Sequence, residues 1–164
     1  MASRTADVQQ QRATYLTLIG VFLSLVAFFA RRERDRDDEL DLRSIDLALL
    51  GLASYRAGRL AAYDRVTEPL RAPFTETKED ESGAGETVEA KGTGFRKALG
   101  ELLSCPTCAG TWAAALLVFG LRLAPRFTRL LLTILGATGI AELLDAGAEA
   151  LTWTGQTARK EAGS

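Results

Sequence analysis

The chain has 164 residues, enough for one domain, with 47% hydrophobic residues and a formal net charge of −1. This balance excludes the basic surface of a nucleic-acid-binding protein, so we expect no nucleic acid as a partner. The chain has no histidine, the commonest general base and metal ligand, and its two cysteines cannot form a disulfide framework. The charges cluster in residues 31–43, 76–81 and 89–97, which leaves long apolar stretches between them.

The first apolar stretch is residues 13–30, which carry no charge and are rich in Leu, Val and Phe. A helix of this length extends ~27 Å, close to the ~30 Å hydrocarbon core of a bilayer. A cleaved signal peptide is the alternative, but Phe28 and Phe29 occupy places where a cleavage site needs small residues. We therefore predict an uncleaved membrane anchor and charged linker over residues 1–44, with residues 1–12 disordered.

Residues 45–63 form a second apolar segment, but Arg56 and Arg59 interrupt it. The pattern allows either a membrane helix with buried charge or a helix that lies at the membrane interface. Residues 75–92 are acidic and glycine-containing with few apolar side chains, which predicts a disordered loop.

Apolar residues then recur at helical spacing: Phe95, Ala98, Leu99, Leu102 and Leu103. This pattern predicts a short amphipathic helix on the membrane surface. Two long apolar helices follow, over residues 106–124 and 127–151, with Pro125 between them. We therefore predict an all-α integral membrane protein with three or four transmembrane helices, a membrane domain over residues 45–153, and a loose polar tail over residues 154–164.

Several short motifs resemble one bacterial family when they are taken in order: Leu47-Ala48-Leu49-Leu50-Gly51, Tyr55-Arg56, Arg59-Leu60, Val66-Thr67-Glu68-Pro69-Leu70-Arg71-Ala72-Pro73-Phe74 and Gly100-Glu101-Leu102-Leu103-Ser104-Cys105-Pro106-Thr107-Cys108-Ala109-Gly110-Thr111-Trp112. Over residues 45–150 the chain resembles the family called domain of unknown function 1360, and the Cys-Pro-x-Cys-x-Gly-x-Trp block is the most specific part. The resemblance implies a small multi-pass membrane protein. It implies no mechanism, because no activity is assigned to the family.

The thiol pair Cys105 and Cys108 is the first candidate site. Pro106 suits the first turn of a helix, with Ser104 or Cys105 as its N-cap. Unpaired N–H groups at a helix N-terminus favour a thiolate, which is the basis of redox-active thiol pairs. Zinc needs four ligands, so a metal would require a second subunit or nearby carboxylates. In the structural interpretation the cysteines only pack the helix start, and Gly110 permits close approach.

The second candidate site consists of charges in apolar helices. Arg56 and Arg59 share one helix face, and Glu142 and Asp145 share another. If residues 45–63 span the membrane, we predict that these two faces meet within it. The alternative is that both sets lie near helix ends and extend to water.

The distribution of Lys and Arg predicts that Cys105 and Cys108 lie reduced on the cytoplasmic side of a multi-pass cell-membrane protein. We predict a structural or interaction role without catalysis or cofactor, with the bilayer and either a second copy or another membrane protein as partners. The alternative function is a thiol-based redox or metal-responsive membrane protein. A transport role would depend only on the intramembrane charges, and with so few helices it would require an oligomer.

Overall fold

The computed structural model describes residues 2–34, 43–79 and 86–162. Within these ranges the chain is almost entirely helical, which confirms the predicted all-α class. The helices are α1 (Ala2–Arg34), α2 (Ser44–Ala62), a 3₁₀ turn (Arg65–Thr67), α3 (Glu68–Arg71), α4 (Gly94–Ser104), α5 (Pro106–Leu123) and α6 (Pro125–Ala162). Two strands, β1 (Thr75–Glu79) and β2 (Glu86–Ala90), form an antiparallel hairpin.

In the described part of the chain, three helical segments are long and apolar enough to cross a membrane: Arg12–Arg34, Pro106–Leu123 and Pro125–Gln156. The helix α2 is not one of these three, and it carries Asp46, Arg56 and Arg59. Large apolar side chains point outward along the bundle, among them Leu16, Leu116, Phe127, Leu130 and Ile134. The buried core is small and consists of Ala53, Leu117 and Leu132. Such an apolar exterior is what a helical protein presents to lipid.

The helix α2 lies between α5 and α6 and packs closely against both. A Cβ atom added at Gly110 of α5 would lie 3.1 Å from the carbonyl oxygen of Ser54, and one at Gly139 of α6 would lie 2.8 Å from that of Leu52. Small residues allow membrane helices to approach at backbone distance in this way. The helix α2 is therefore packed into the helical bundle.

The order of the contacts gives the direction of each helix. Along α2, Ser54 and then Gly58 meet Gly110 and then Pro106, so α5 runs antiparallel to α2. The helix α6 runs parallel to α2, because Leu49 meets Gly136 and Leu52 meets Gly139. The directions of these three helices therefore alternate in chain order.

The helix α1 runs parallel to α5 and packs on its outer side through aromatic rings. Phe22 meets Trp112 edge to face, and Phe29 stacks on Phe119 with ring centroids 3.9 Å apart. Further along, Glu33 forms an ion pair with Arg122. The helices α1, α2, α5 and α6 therefore form an up-down-up-down bundle. The segment between α2 and α5 begins and ends at the same end of this bundle.

The prediction of a disordered loop over residues 75–92 is wrong for the described strands. Thr75 pairs with Ala90, and Lys78 forms ion pairs with Glu76 on its own strand and with Glu89 across the hairpin. The hairpin also packs on α4, where a Cβ atom at Gly100 would lie 2.9 Å from that of Ala90. Composition suggested disorder because the segment has little apolar surface of its own, whereas its order comes from α4. Residues 80–85 of the predicted loop lie outside the described residues.

Two other predictions of disorder are also corrected. The helix α1 begins at Ala2 rather than after residue 12, and α6 continues to Ala162 through most of the predicted loose tail at 154–164. Both segments are rich in Ala, Gln and Arg, which have high helix propensity, so each extends a helix already nucleated in the bundle. Part of the predicted charged linker, residues 35–42, lies outside the described residues.

Candidate functional site

The thiol pair lies at the start of α5. Cys105 is the N-cap of this helix, and its sulfur accepts a hydrogen bond of 3.4 Å from the backbone N–H of Cys108. Pro106 occupies the first turn, where its missing N–H leaves no intrahelical bond unmade. Cys105 is half-buried and Cys108 is exposed, and both thiols are free.

The pKa of Cys105 is lowered because the Cys108 thiol and then the Cys108 backbone N–H donate hydrogen bonds to its sulfur. Among the described residues, no group of three or more acidic, cysteine or histidine side chains is placed to hold a metal ion. A metal at this thiol pair would therefore need further ligands from outside these residues. Gly110, one turn further on, lies against Ser54 of α2, which is the close approach that the packing interpretation expects.

The charged residues meet at the same end of the bundle. Arg59 of α2 forms an ion pair with Glu142 of α6, and Arg56 lies 3.5 Å from the other carboxylate oxygen of Glu142. Arg56 also pairs at 2.6 Å with Asp64, a partner that the sequence analysis missed. Asp145 is exposed and forms no ion pair within the described part of the chain. The structure thus brings together Arg56, Arg59 and Glu142, but not Asp145.

Arg59 lies between the charged residues Arg56 and Glu142 and the thiol pair at the start of α5. Its guanidinium carbon lies 5.8 Å from the ring centroid of Tyr55 and 5.4 Å from that of Tyr63, within the range of cation–π contacts. Arg59 also lines a cavity of about 370 Å³, whose opposite wall includes Pro106 and Thr107 of α5. The two candidate sites predicted separately are therefore adjacent in space.

Sequence reasoning missed the role of Arg71, which is only 4% exposed. Its Nη1 donates to the carbonyl oxygen of Ala61, in the last turn of α2, at 3.4 Å and to that of Asp64, just beyond this turn, at 2.8 Å. Thr67 supports it by donating from its hydroxyl to the carbonyl of Leu60. A cation at the carbonyl end of a helix is stabilised by the helix dipole. The only sequence signal was that Arg71 and Thr67 belong to one of the motifs that carry the family resemblance.

A second and larger cavity, of about 500 Å³, lies between α1, α4 and α5. Its walls are mostly apolar, with Leu18, Ile19, Phe22 and Leu102 among the lining residues. The thiol pair also faces this cavity. The α5 N-terminus therefore lies between two mostly apolar cavities, one lined by Arg59 of α2 and the other by residues of α1 and α4.

Taken together, these features define a small helical-bundle protein with helices of membrane-spanning length and a thiol motif at one end. The chain belongs to the family described as protein of unknown function (DUF1360), whose model matches residues 49–148. This match confirms the resemblance found in the sequence. It covers most of α2, all of α5 and much of α6, whereas α1 precedes it.

Two relatives from Bacillus subtilis (strain 168) are similar to this chain. Sporulation protein YjcA is 36% identical over 107 residues, which cover 63% of this chain and 91% of that protein. UPF0713 protein YngL is 33% identical over 106 residues, which cover 63% of this chain and 78% of that protein. No solved structure matches the chain.

Proposed function

We propose that the chain is a multi-pass membrane protein with a structural or interaction role and no catalytic activity of its own. Its helices α1, α5 and α6 supply segments of membrane-spanning length, and their large apolar side chains point outward. The helix α2 crosses with them, because it packs along both α5 and α6. Its charges are tolerated since they face a partner inside the bundle instead of lipid.

The observation that carries this proposal is that the polar groups of the candidate site connect helices to one another. The Arg59–Glu142 ion pair joins α2 to α6, Gly58 lies against the Pro106 carbonyl and joins α2 to α5, and Arg71 caps the end of α2. Side chains that are committed to such contacts favour an architectural role over substrate chemistry.

The proposed orientation places the thiol end of the bundle in the cytoplasm. With four crossing helices, the segments on that side hold more Lys and Arg than those on the opposite side. Membrane-impermeant maleimide should then label Cys105 and Cys108 in lysed cells but not in intact cells. A Cys105→Ser/Cys108→Ser variant is the matched control, because the chain has no other cysteine. Labelling in intact cells would reverse the orientation.

Insertion and association are tested on the full chain. Carbonate washing should leave the protein in the membrane pellet, and its release into the supernatant would contradict insertion. Cross-linking in native membranes, followed by mild detergent extraction, should give a discrete complex larger than the 17.7 kDa chain. A species that remains monomeric under these conditions would contradict an interaction role.

The same membranes distinguish the thiol-based alternative. A redox protein would form a disulfide between Cys105 and Cys108 after brief oxidant treatment of cells and lose it during recovery. Our proposal expects both thiols to stay reduced, and the Cys105→Ser/Cys108→Ser variant to form the same cross-linked complex as the wild type. A complex that depends on the thiols would favour the alternative.

A further inference from the structure

The outer face of α6 carries a continuous apolar stripe. Gly136, Gly139 and Glu142 face α2, and on the opposite face of α6 apolar residues recur at alternating spacings of four and three. We call these residues the α6 seam, and all of them are exposed: Leu130, Ile134, Ala137, Ala141, Leu144, Ala148, Leu151 and Gly155. An apolar spacing of 3.5 residues that continues over about four heptads is the pattern by which helices pack along one another.

The second half of the α6 seam suits neither lipid nor water. Beyond Glu142, every residue of α6 up to Gln156 is exposed, and Leu151 is 75% exposed. Asp145 and Glu149 lie in this stretch, and their charges are unfavourable against lipid chains. The seam is also ~37 Å long, which exceeds the ~30 Å hydrocarbon core of a bilayer. Lipid therefore does not cover the whole seam, and a protein surface is the occupant that fits it.

The residues of the α6 seam favour a second copy of this chain as that surface. In the seven-residue repeat, Leu130, Leu144 and Leu151 occupy three of the four d positions, and alanine or glycine occupies three of the four a positions. Leucine at d favours parallel two-stranded coiled coils, and small residues allow membrane helices to approach closely. Two copies inserted in the same orientation place identical seams parallel and at the same level. Asp145 and Glu149 fall at the e and b positions, so neither acid lies in the seam of such a pair.

We propose that the α6 seam is a homodimer interface, in which α6 of one copy packs parallel to α6 of a second copy about a twofold axis along the membrane normal. This inference rests on the interaction role proposed above, because it names the partner. The two can still fail separately. A cross-linked complex with a different protein would keep the interaction role and overturn the homodimer.

Cysteine cross-linking in native membranes tests the interface at matched positions. In the Cys105→Ser/Cys108→Ser background, Ala148→Cys places a thiol in the seam, whereas Ala146→Cys places one at the f position, at another exposed alanine of the same helix. A parallel pair brings each a position next to its copy. Oxidation with copper phenanthroline should therefore link Ala148→Cys into a dimer of twice the 17.7 kDa chain, about five-fold or more efficiently than Ala146→Cys. Co-expression of two differently tagged copies shows whether both linked chains are this protein.

A scan of single cysteines over residues 141–155 gives a result that does not depend on any one variant. Cross-linking should rise at the seam positions and fall between them, with maxima at Ala141, Leu144, Ala148, Leu151 and Gly155. In the wild-type sequence, Ala148→Arg should reduce co-purification of the two tagged copies about ten-fold, because it places like charges side by side in the seam. The matched control Ala146→Arg should leave co-purification unchanged.

Three outcomes would overturn the proposal. The first is linking that is as strong at Ala146→Cys as at Ala148→Cys, and the second is a linked species whose other chain is a different protein. The third is the absence of a dimer at every seam position although the scan variants reach the membrane in wild-type amount.

Discussion

Replacing Gly58 by alanine tests whether the thiol motif is packed at backbone distance against α2. A Cβ atom at this position would collide with the carbonyl oxygen of Pro106 and lie 2.9 Å from the backbone nitrogen of Gly110. These are backbone atoms, so they cannot rotate away as the end of a flexible side chain would. The helices α2 and α5 would therefore have to separate where the motif begins.

The magnitude follows from a matched pair of substitutions on the same helix. Among the described residues, no atom lies within 4 Å of a Cβ atom placed at Gly51. Gly51→Ala should therefore stabilise the protein by up to ~1 kcal/mol through helix propensity. Gly58→Ala gains the same propensity but is overpacked, at a cost of ~1–3 kcal/mol. Because propensity cancels in the comparison, the two variants should differ by ~1–3 kcal/mol.

The assay is unfolding of the purified protein in mixed micelles, with increasing mole fraction of a denaturing detergent and helix content as the readout. We expect Gly58→Ala to unfold at a lower mole fraction than the wild type and Gly51→Ala at an equal or higher one. The reasoning would be refuted if the two alanine variants unfolded together, since α5 would then not contact α2 at Gly58.

Three further predictions follow from the site. Arg59→Glu and Glu142→Arg should each reduce the amount of the protein in the membrane, and the double exchange should restore it. The reason is that an unpaired charge between helices destabilises the protein more than an ion pair does. Immunoblots in which the double exchange shows no rescue would contradict the contact. Arg71→Met should destabilise the protein by ~1–2 kcal/mol in the same micelle assay, because it removes a cation and its hydrogen bonds from the carbonyl end of α2; wild-type stability would exclude the capping role. The rate at which Cys105 is alkylated, measured by mass spectrometry across a pH series, should reach half its maximum at a pH below the usual thiol pKa of about 8.5. The Cys108→Ala variant should raise this midpoint pH, because it removes a donor to the thiolate. A midpoint pH that is the same in both proteins would contradict the hydrogen bond.

Local sequence patterns predicted the features that depend on neighbours along the chain. The apolar stretches gave α1, α5 and α6, the i, i+3, i+4 spacing gave α4, and Pro106 placed Cys105 at a helix start. The charge pairing between α2 and α6 also followed from simple geometry, because two helices separated by one crossing run in the same direction. Of the two predicted carboxylates, Glu142 pairs with Arg56 and Arg59, whereas Asp145 is exposed and forms no ion pair among the described residues.

Features that depend on contacts between different elements were not predictable in this way. The hairpin over β1 and β2 looks like a disordered segment until α4 provides Gly100 as a flat surface for Ala90. The role of Arg71 depends on carbonyl groups of α2 that a turn brings back to it. Each of these features is stabilised by a contact between two different elements, so the periodicity within one element does not encode it.

The contact between Gly58 and Pro106 has a consequence for the chain that connects them. It holds the two ends of the segment between α2 and α5 together, so the bundle itself closes this loop. The entropy of closing a loop rises only slowly with its length, by ~0.6 kcal/mol for each doubling. The hairpin region can therefore lengthen or shorten at little thermodynamic cost while the helices keep their positions. A protein built in this way can vary the region between α2 and α5 without rebuilding the helical bundle.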